Sequence, residues 1–266
     1  MSFFKYKFRA PHLGKFPMET VRRVDQPTTR IDTDKIKRVP LRGAFFTRPF
    51  FGDLGERAKT ERKRFMAKYP LGEAIGEIMA AMIPLQDGEV APDQAPGTDD
   101  ADEMAKHIKA LSYFLDIDIT GICEMPEWAW YTHDGKGNEV TPDHKYAIVM
   151  VLDQGFETME GASGDDWISG TQSYRAYLRG SEIGSVMANY IRKLGYEARC
   201  HTAAKGDVLQ IPLMLLAGLG ELSRIGEVVI NPFLGPRMKT MVVTTNLPMT
   251  VDKPIDFGLQ KFCENC

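Results

Sequence analysis

The chain has 266 residues, 43% hydrophobic and 26% charged, a balance that supplies one large globular core or two unequal ones and excludes disorder over most of its length. A formal net charge of −3 and a pI near 6.0 provide no global basic field for nucleic acid. No stretch of about eighteen apolar residues occurs, so no transmembrane segment is predicted. The N-terminus also lacks the apolar region of a secretory signal, and "VDQPTT" follows the Arg22–Arg23 pair where an export signal carries hydrophobic residues. The chain therefore reads as cytoplasmic.

Residues 1 to 55 are rich in Pro, Arg and aromatics without sustained periodicity, which predicts an extended arm laid over something else. Two helical patterns follow, "GERAKTERKRFMAKYP" and "LGEAIGEIMAAMIP", each closed by a proline that cannot continue a helix. The connector "LQDGEVAPDQAPGTDD" ends in aspartates suited to cap the next helix, "ADEMAKHIKALSYFLD". "IDITGIC" and "KYAIVMVLD" are β-branched apolar runs of the kind that fill buried strands, and a loop with Trp128 and Trp130 separates them. "SYRAYLRGSEIGSVMANYIRKLG" places Ile183, Val186, Met187, Tyr190, Ile191 and Leu194 on one helix face, with Gly195 as its stop. "YEARCHT", "EVVINP" and "KTMVVTTNLP" read as strands, and "IPLMLLAGLGELSR" as a buried helix. Interleaved strands and helices predict an α+β (α/β layered) fold.

Few motifs carry chemistry by themselves. His107, His133, His144 and His201 lack zinc-hydrolase spacing, and both a nucleophile elbow and a phosphate-binding lysine loop are absent. Gly218, Gly220 and Gly226 follow a helix and precede a strand, the reverse of a dinucleotide-binding turn, so on their own they read as a helix end and a tight turn. Cys123 and Cys200 sit in apolar runs and read as buried free thiols. The final "FCENC" pairs Cys263 with Cys266, half of a four-ligand metal set.

The block from residue 145 to 266 resembles the reductive dehalogenases and, more distantly, the epoxyqueuosine reductases. The resemblance rests on "AGLGELSRIGEVVINPFLGPRMKTMVVTTNLPMTVDKPIDFGLQKFCENC", which gives in order A-G-L-G-E, a strand ending in N-P, G-P with a basic residue, D-x-P-I, F-G and F-C-x-x-C. "SYRAYLRGSEIGSVMANYIRKLGYEARCH" also resembles the family's tyrosine-bearing helix, whereas residues 1 to 110 match only loosely.

The resemblance implies a nitroreductase-like cobalamin-binding domain, residues 101–256, behind an N-terminal arm with helices, residues 1–100. Residues 257–266 would begin a ferredoxin-like iron–sulfur domain carrying [4Fe–4S] clusters, with Cys263 and Cys266 as first ligands and the chain breaking off inside the motif. It implies replacement of carbon–halogen by carbon–hydrogen in an organohalide, aromatic by preference, using base-off cobalamin and an electron donor such as a ferredoxin or a reductase. Carried onto this chain, the proton donor is Tyr177 and its basic partner Lys239, with Tyr174 and Arg237 the nearest competitors in register. Such a cation is expected to lower the phenol pKa from about 10 and ease proton transfer. Gly206 in "TAAKGD", the Gly218–Leu219–Gly220 turn, and Thr244 and Thr245 are the expected corrin neighbours, small enough to let backbone approach a macrocycle. Trp128 and Trp130 either wall an apolar substrate pocket or anchor their loop. The alternatives are a non-catalytic or degenerate cobalamin-binding module and an epoxyqueuosine reductase-like enzyme.

Overall fold

The structure, a computed structural model, describes residues 9–66 and 68–265. Strands β1 (Ile119–Glu124), β2 (Tyr146–Asp153) and β3 (Ala198–His201) join the later β6 (Met238–Thr245), while β4 (Glu221–Leu222) pairs with β5 (Val229–Ile230) in a separate short ribbon. The main sheet has the order β1-β2-β6-β3 and is antiparallel throughout, which makes the fold α+β. The helices are α1 (Glu56–Met66), α2 (Leu71–Ala81), α3 (Ala101–Phe114), α4 (Phe156–Glu160), α5 (Thr171–Lys193), α6 (Gln210–Leu216) and α7 (Leu259–Glu264).

The continuous apolar run of β2 has a simple cause: both faces of the sheet are covered. Ala147, Val149 and Val151 face a core shared with α6, Trp130 and Met18 of the arm. Ile148, Met150 and Leu152 face a second core, built with Ile108 of α3 and Ile183, Met187 and Ile191 of α5. A strand buried on both sides has no polar alternation to display.

The arm is fastened through its backbone. Residues 22–24 run beside 254–256, with the Val24 amide donating to Pro254 O (2.9 Å) and the Asp256 amide to Arg22 O (3.0 Å). Arg23 donates to Lys253 O (2.7 Å), and Arg38 donates to the carbonyls of Trp130 (3.2 Å), Tyr131 (2.8 Å) and Val140 (2.6 Å). The connector before α3 is ordered as well: Gln86 is fully buried, and Asp100 caps α3 through the amides of Asp102 and Glu103.

Three expectations need correction. The buried helix predicted over "IPLMLLAGLGELSR" ends at Leu216, and Glu221–Leu222 of that stretch form β4 instead. Val186 is 47% exposed, because α5 meets the sheet along the small residues Gly180, Gly184 and Ala188, which turns Val186 outward. The strand predicted over "EVVINP" shrinks to Val229–Ile230, since Asn231 folds the chain into a turn by accepting from the amides of Phe233 (2.9 Å) and Leu234 (3.1 Å).

The small-residue row is a packing device. A Cβ on Gly184 would lie 2.5 Å from Cys200 Sγ and 2.9 Å from Met241 Cγ. Alanine there would gain about 1 kcal/mol of helix propensity, but overpacking a core costs about 1–3 kcal/mol. Gly184→Ala is therefore expected to lower unfolding stability in urea. Gly180→Ala should cost less, because its nearest neighbour is the flexible Met241 methyl at 2.9 Å. Equal or greater stability for Gly184→Ala would show that the helix does not need this closeness.

Candidate active site

The close approach of α5 to β6 decides what its first turns can reach. Along β6, Met238 and Val242 belong to the α6-side core, and Met241 and Val243 to the α5-side core. By the same alternation Lys239 faces α5. Its Nζ stands 5.5 Å from the centroid of the Tyr177 ring, a cation–aromatic contact.

Lys239 pairs with no carboxylate among the described residues. Burial alone pushes its ammonium below the ordinary lysine range. Arg237, the competitor in register, is already spent: its Nε and Nη2 bind the Asp153 carboxylate at 2.8 and 3.2 Å. Burial pushes Asp153 up, but the Arg237 hydrogen bond and the Gly155 amide outweigh it and the carboxyl titrates below its ordinary value.

The expected lowering of the Tyr177 pKa is overturned. Its pKa is raised, first by burial and then by the neighbouring Tyr174. Both effects disfavour the phenolate, so the phenol keeps its proton. What results is a protonated donor beside an unpaired, desolvated ammonium, an arrangement suited to hand over a proton and to hold an electronegative atom close by.

Polar groups that the sequence did not single out frame this end of α5. Gln154, 2% exposed, donates to Gln172 and to Ser173 Oγ (3.2 Å), and Arg175 donates to Gln154 O (2.8 Å) and Thr158 Oγ1 (3.3 Å). Nothing in their spacing marks them, because three elements converge to make the cluster.

The expected corrin neighbours lie elsewhere. A Cβ on Gly218, where φ is +67°, would meet Lys253 O and Arg23 Nη1 at 2.2 Å, and one on Gly220 would meet Ile230 O at 2.4 Å. The chain's own backbone and arm therefore explain both glycines, and Leu219 between them is buried. Gly206 sits against Thr202 O, 3.0 Å from a notional Cβ.

Thr244 and Thr245 are fully buried toward the end of β6 remote from Lys239. Five residues of strand span about 16 Å. The Thr245 hydroxyl donates to Glu197 O (2.7 Å). Thr244 Oγ1 lies 2.9 Å from His201 Nε2 and 2.7 Å from His144 Nδ1. The Asp207 amide donates to His201 Nδ1 (3.2 Å), so His201 carries its proton on Nε2 and donates it to Thr244, which donates in turn to His144. Burial holds both imidazoles below the ordinary histidine range and so neutral. Trp130 lies at this end, 5.5 Å from the His201 ring, and lines a polar cavity rather than an apolar substrate pocket; Trp128 packs on the α6-side core.

Several motif positions turn out to be fasteners. Glu221 of A-G-L-G-E, 1% exposed, accepts from Thr28 Oγ1 (2.7 Å) and from the amides of Phe257 (2.8 Å) and Leu259 (3.2 Å), which fixes the entry to α7. Asp252 of D-x-P-I accepts from Ile122 N (2.8 Å) and Lys109 Nζ (2.6 Å). Cys263 is a half-buried free thiol on α7, and Cys266 lies outside the described residues. Among the described residues no group of three or more His, Cys, Asp or Glu is placed to hold a metal ion. Burial raises the thiol of Cys123 and pushes that of Cys200 up to about 12, as expected of inert core cysteines. No helix among the described residues is long and apolar enough to cross a membrane.

No family model matches the chain. Over 122 residues it is 34% identical to the tetrachloroethene reductive dehalogenase of Dehalobacter restrictus, a match covering 46% of this chain and 21% of that protein. Over 80 residues it is 40% identical to the tetrachloroethene reductive dehalogenase of Sulfurospirillum multivorans, covering 30% and 15%. Among solved structures, the catabolic reductive dehalogenase NpRdhA superposes with a TM-score of 0.93 and 50% identity over 99% of this chain and 39% of that one. The same relative has been solved with 3-bromo-4-hydroxybenzoic acid, and one structure at the same TM-score is described as suggesting a mechanism for B12-dependent dehalogenation. The chain thus spans about two fifths of that solved chain, and the curated matches cover a fifth or less of their proteins.

The Lys239 environment makes a stability prediction. An ammonium buried without a counter-charge is a cost that folding carries, so Lys239→Met should stabilise by about 1 kcal/mol, which for a chain of this size is a rise of about 2–4 °C in Tm. The sign follows from the lowered pKa: the unfolded chain binds the proton more tightly, so the gain is present below the ordinary lysine pKa and fades as pH rises to it. A fall in Tm at neutral pH would mean that the charge is compensated.

Proposed function

We propose, on the premise that this chain is a homologue of the reductive dehalogenases in sequence and in structure, that it is the proton-donating part of such an enzyme. The reaction replaces a carbon–halogen bond with a carbon–hydrogen bond, consuming two electrons and a proton and releasing halide. Tyr177 supplies the proton and Lys239 stands beside it. The observation that carries this reading is the contact between a phenol kept protonated by burial and an ammonium with no carboxylate partner.

Each residue has a defined task. Tyr177, holding its proton above the ordinary tyrosine range, releases it only to a strongly basic centre such as a carbanion developing as halide departs. Lys239, its charge beside the ring, lowers the cost of the phenolate left behind. Both groups are half-buried, which limits the water that would otherwise compete as a proton source.

The relatives point to cobalamin, which when bound supplies the electrons for carbon–halogen cleavage. The residues here fit that chemistry at the acid–base pair. They do not fit it as a cradle made of Gly206, Gly218, Leu219, Gly220, Thr244 and Thr245, whose surroundings are filled by the chain itself. Cys263 and Cys266 are proposed as cluster ligands and a redox protein as electron donor. An aromatic organohalide is the proposed substrate class, by likeness to the relative solved with a bromophenolic acid.

The test is anaerobic reconstitution with cobalamin and a chemical reductant, followed by bromide release from 3-bromo-4-hydroxybenzoic acid. Tyr177→Phe should retain corrinoid and lose turnover by a factor of about 10²–10⁴. Unchanged turnover removes Tyr177 from the mechanism. Corrinoid uptake without turnover in the unaltered chain supports the non-catalytic module instead, and failure to take up corrinoid overturns both readings.

A further inference from the structure

The end of β6 opposite Lys239 carries a second set of titratable groups, which the proposed reaction does not use. Thr244 stands there between His201, the last residue of β3, and His144, in the loop that enters β2. Its Oγ1 lies 2.9 Å from His201 Nε2 and 2.7 Å from His144 Nδ1, and the Asp207 amide closes the chain on His201 Nδ1 at 3.2 Å. Thr244 and His201 are fully buried and His144 is 9% exposed, so the chain is sealed from bulk water.

The hydrogen bonds run in one direction. The Asp207 amide donates to His201, His201 Nε2–H to Thr244, and the Thr244 hydroxyl to His144 Nδ1. An added proton on His201 must take Nδ1, which sets it against the Asp207 N–H. An added proton on His144 at Nδ1 faces the Thr244 hydroxyl hydrogen. Thr244 can accept from both imidazoles only by turning that hydrogen away from the acceptor it now has. Each of these protons therefore breaks one buried hydrogen bond, and a buried donor left unmet is costly.

The charges that face the two rings do not reverse this. Around His144, burial and Arg199 oppose the added proton and outweigh Asp143, at 3.8 Å, Glu197 and Asp87, which favour it. Around His201, Arg199, His144 and Lys205 all act in the same direction as burial. Asp207 shifts the opposite way: burial raises its carboxyl, so its own titration would tighten the fold on acidification rather than loosen it.

The chain also joins segments far apart in sequence. The Tyr131 amide donates to Asp207 O (2.9 Å) and the Leu209 amide to Ala129 O (2.7 Å), which hangs the Trp130 loop on the turn that follows β3. The Trp130 ring packs on both imidazoles, its centroid 5.5 Å from His201 and 6.1 Å from His144.

We propose that His144, Thr244 and His201 form an acid-sensitive latch, which pins the turn 202–207 and the Trp130 loop to the end of β6 at neutral pH and releases them on acidification. The latch shares no residue with the Tyr177–Lys239 pair and stands whether or not that pair donates a proton to substrate.

The direct reporter is the Asp207 amide, because its acceptor is the lone pair that protonation removes. Its hydrogen-exchange protection, corrected for intrinsic exchange, is measured in nitrogen-15-labelled protein from about pH 7 to about pH 5, with the Val149 and Met150 amides of the central strand β2 as references. The released form titrates as an ordinary histidine, near 6.5, so latching is complete above that value and is lost as pH falls below it. Asp207 protection should fall about tenfold or more over this range while Val149 and Met150 hold. His144→Asn, which keeps an acceptor toward Thr244 without a titratable ring, should make the fall shallower. If that variant fails to fold, the titration of the unaltered protein still decides. Constant Asp207 protection, a fall in step with Val149 and Met150, or an equally steep fall in His144→Asn would overturn the proposal.

Discussion

One packing contact governs the acid–base end of the molecule: α5 lies against β6 through glycines rather than through branched side chains. The sulfur of Cys200 and the side chain of Met241 occupy the space where a Cβ on Gly184 would stand. Because the helix comes this close, Tyr177, less than two turns earlier, reaches the only face of β6 on which Lys239 can stand. A wider separation would let water between phenol and ammonium. Each would then relax toward its ordinary titration, and the pair would lose the property that makes it chemically useful.

Burial also settles which electrostatic effect wins. At Tyr177 desolvation drives the phenol pKa up, and Tyr174 adds to it. The Tyr177 phenol therefore rests in its protonated form. Arg237 does not compete, since Asp153 already neutralises it, so the unpaired positive charge at this site is carried by Lys239.

The main elements were legible because their causes are local. Apolar runs gave β1 and β2, the paired prolines closed α1 and α2, and Asp100 caps α3 as the connector implied. The pairing of Tyr177 with Lys239 came from resemblance, not from periodicity. The buried face of α5 was misread at Val186 because the pattern followed large residues, while Gly180, Gly184 and Ala188 do the packing. The glycines near residue 218 and the threonines of β6 were assigned to a cofactor because small residues invite close approach. What approaches them is the arm, β5 and a histidine network, contacts between segments far apart in sequence. Glu221, Asn231 and Asp252 lay in plain view inside the resembling block, but their roles as fasteners depend on partners that only folding brings near.

The central claim, that Lys239 must be charged beside the Tyr177 phenol, is tested most directly by the pH dependence of kcat in the reconstituted protein and in Lys239→Gln. Activity in the unaltered protein should fall on the alkaline side at a pH below the ordinary lysine value, as the desolvated ammonium loses its proton, and that limb should be absent from the residual activity of the variant. The same alkaline limb in both proteins would contradict the account.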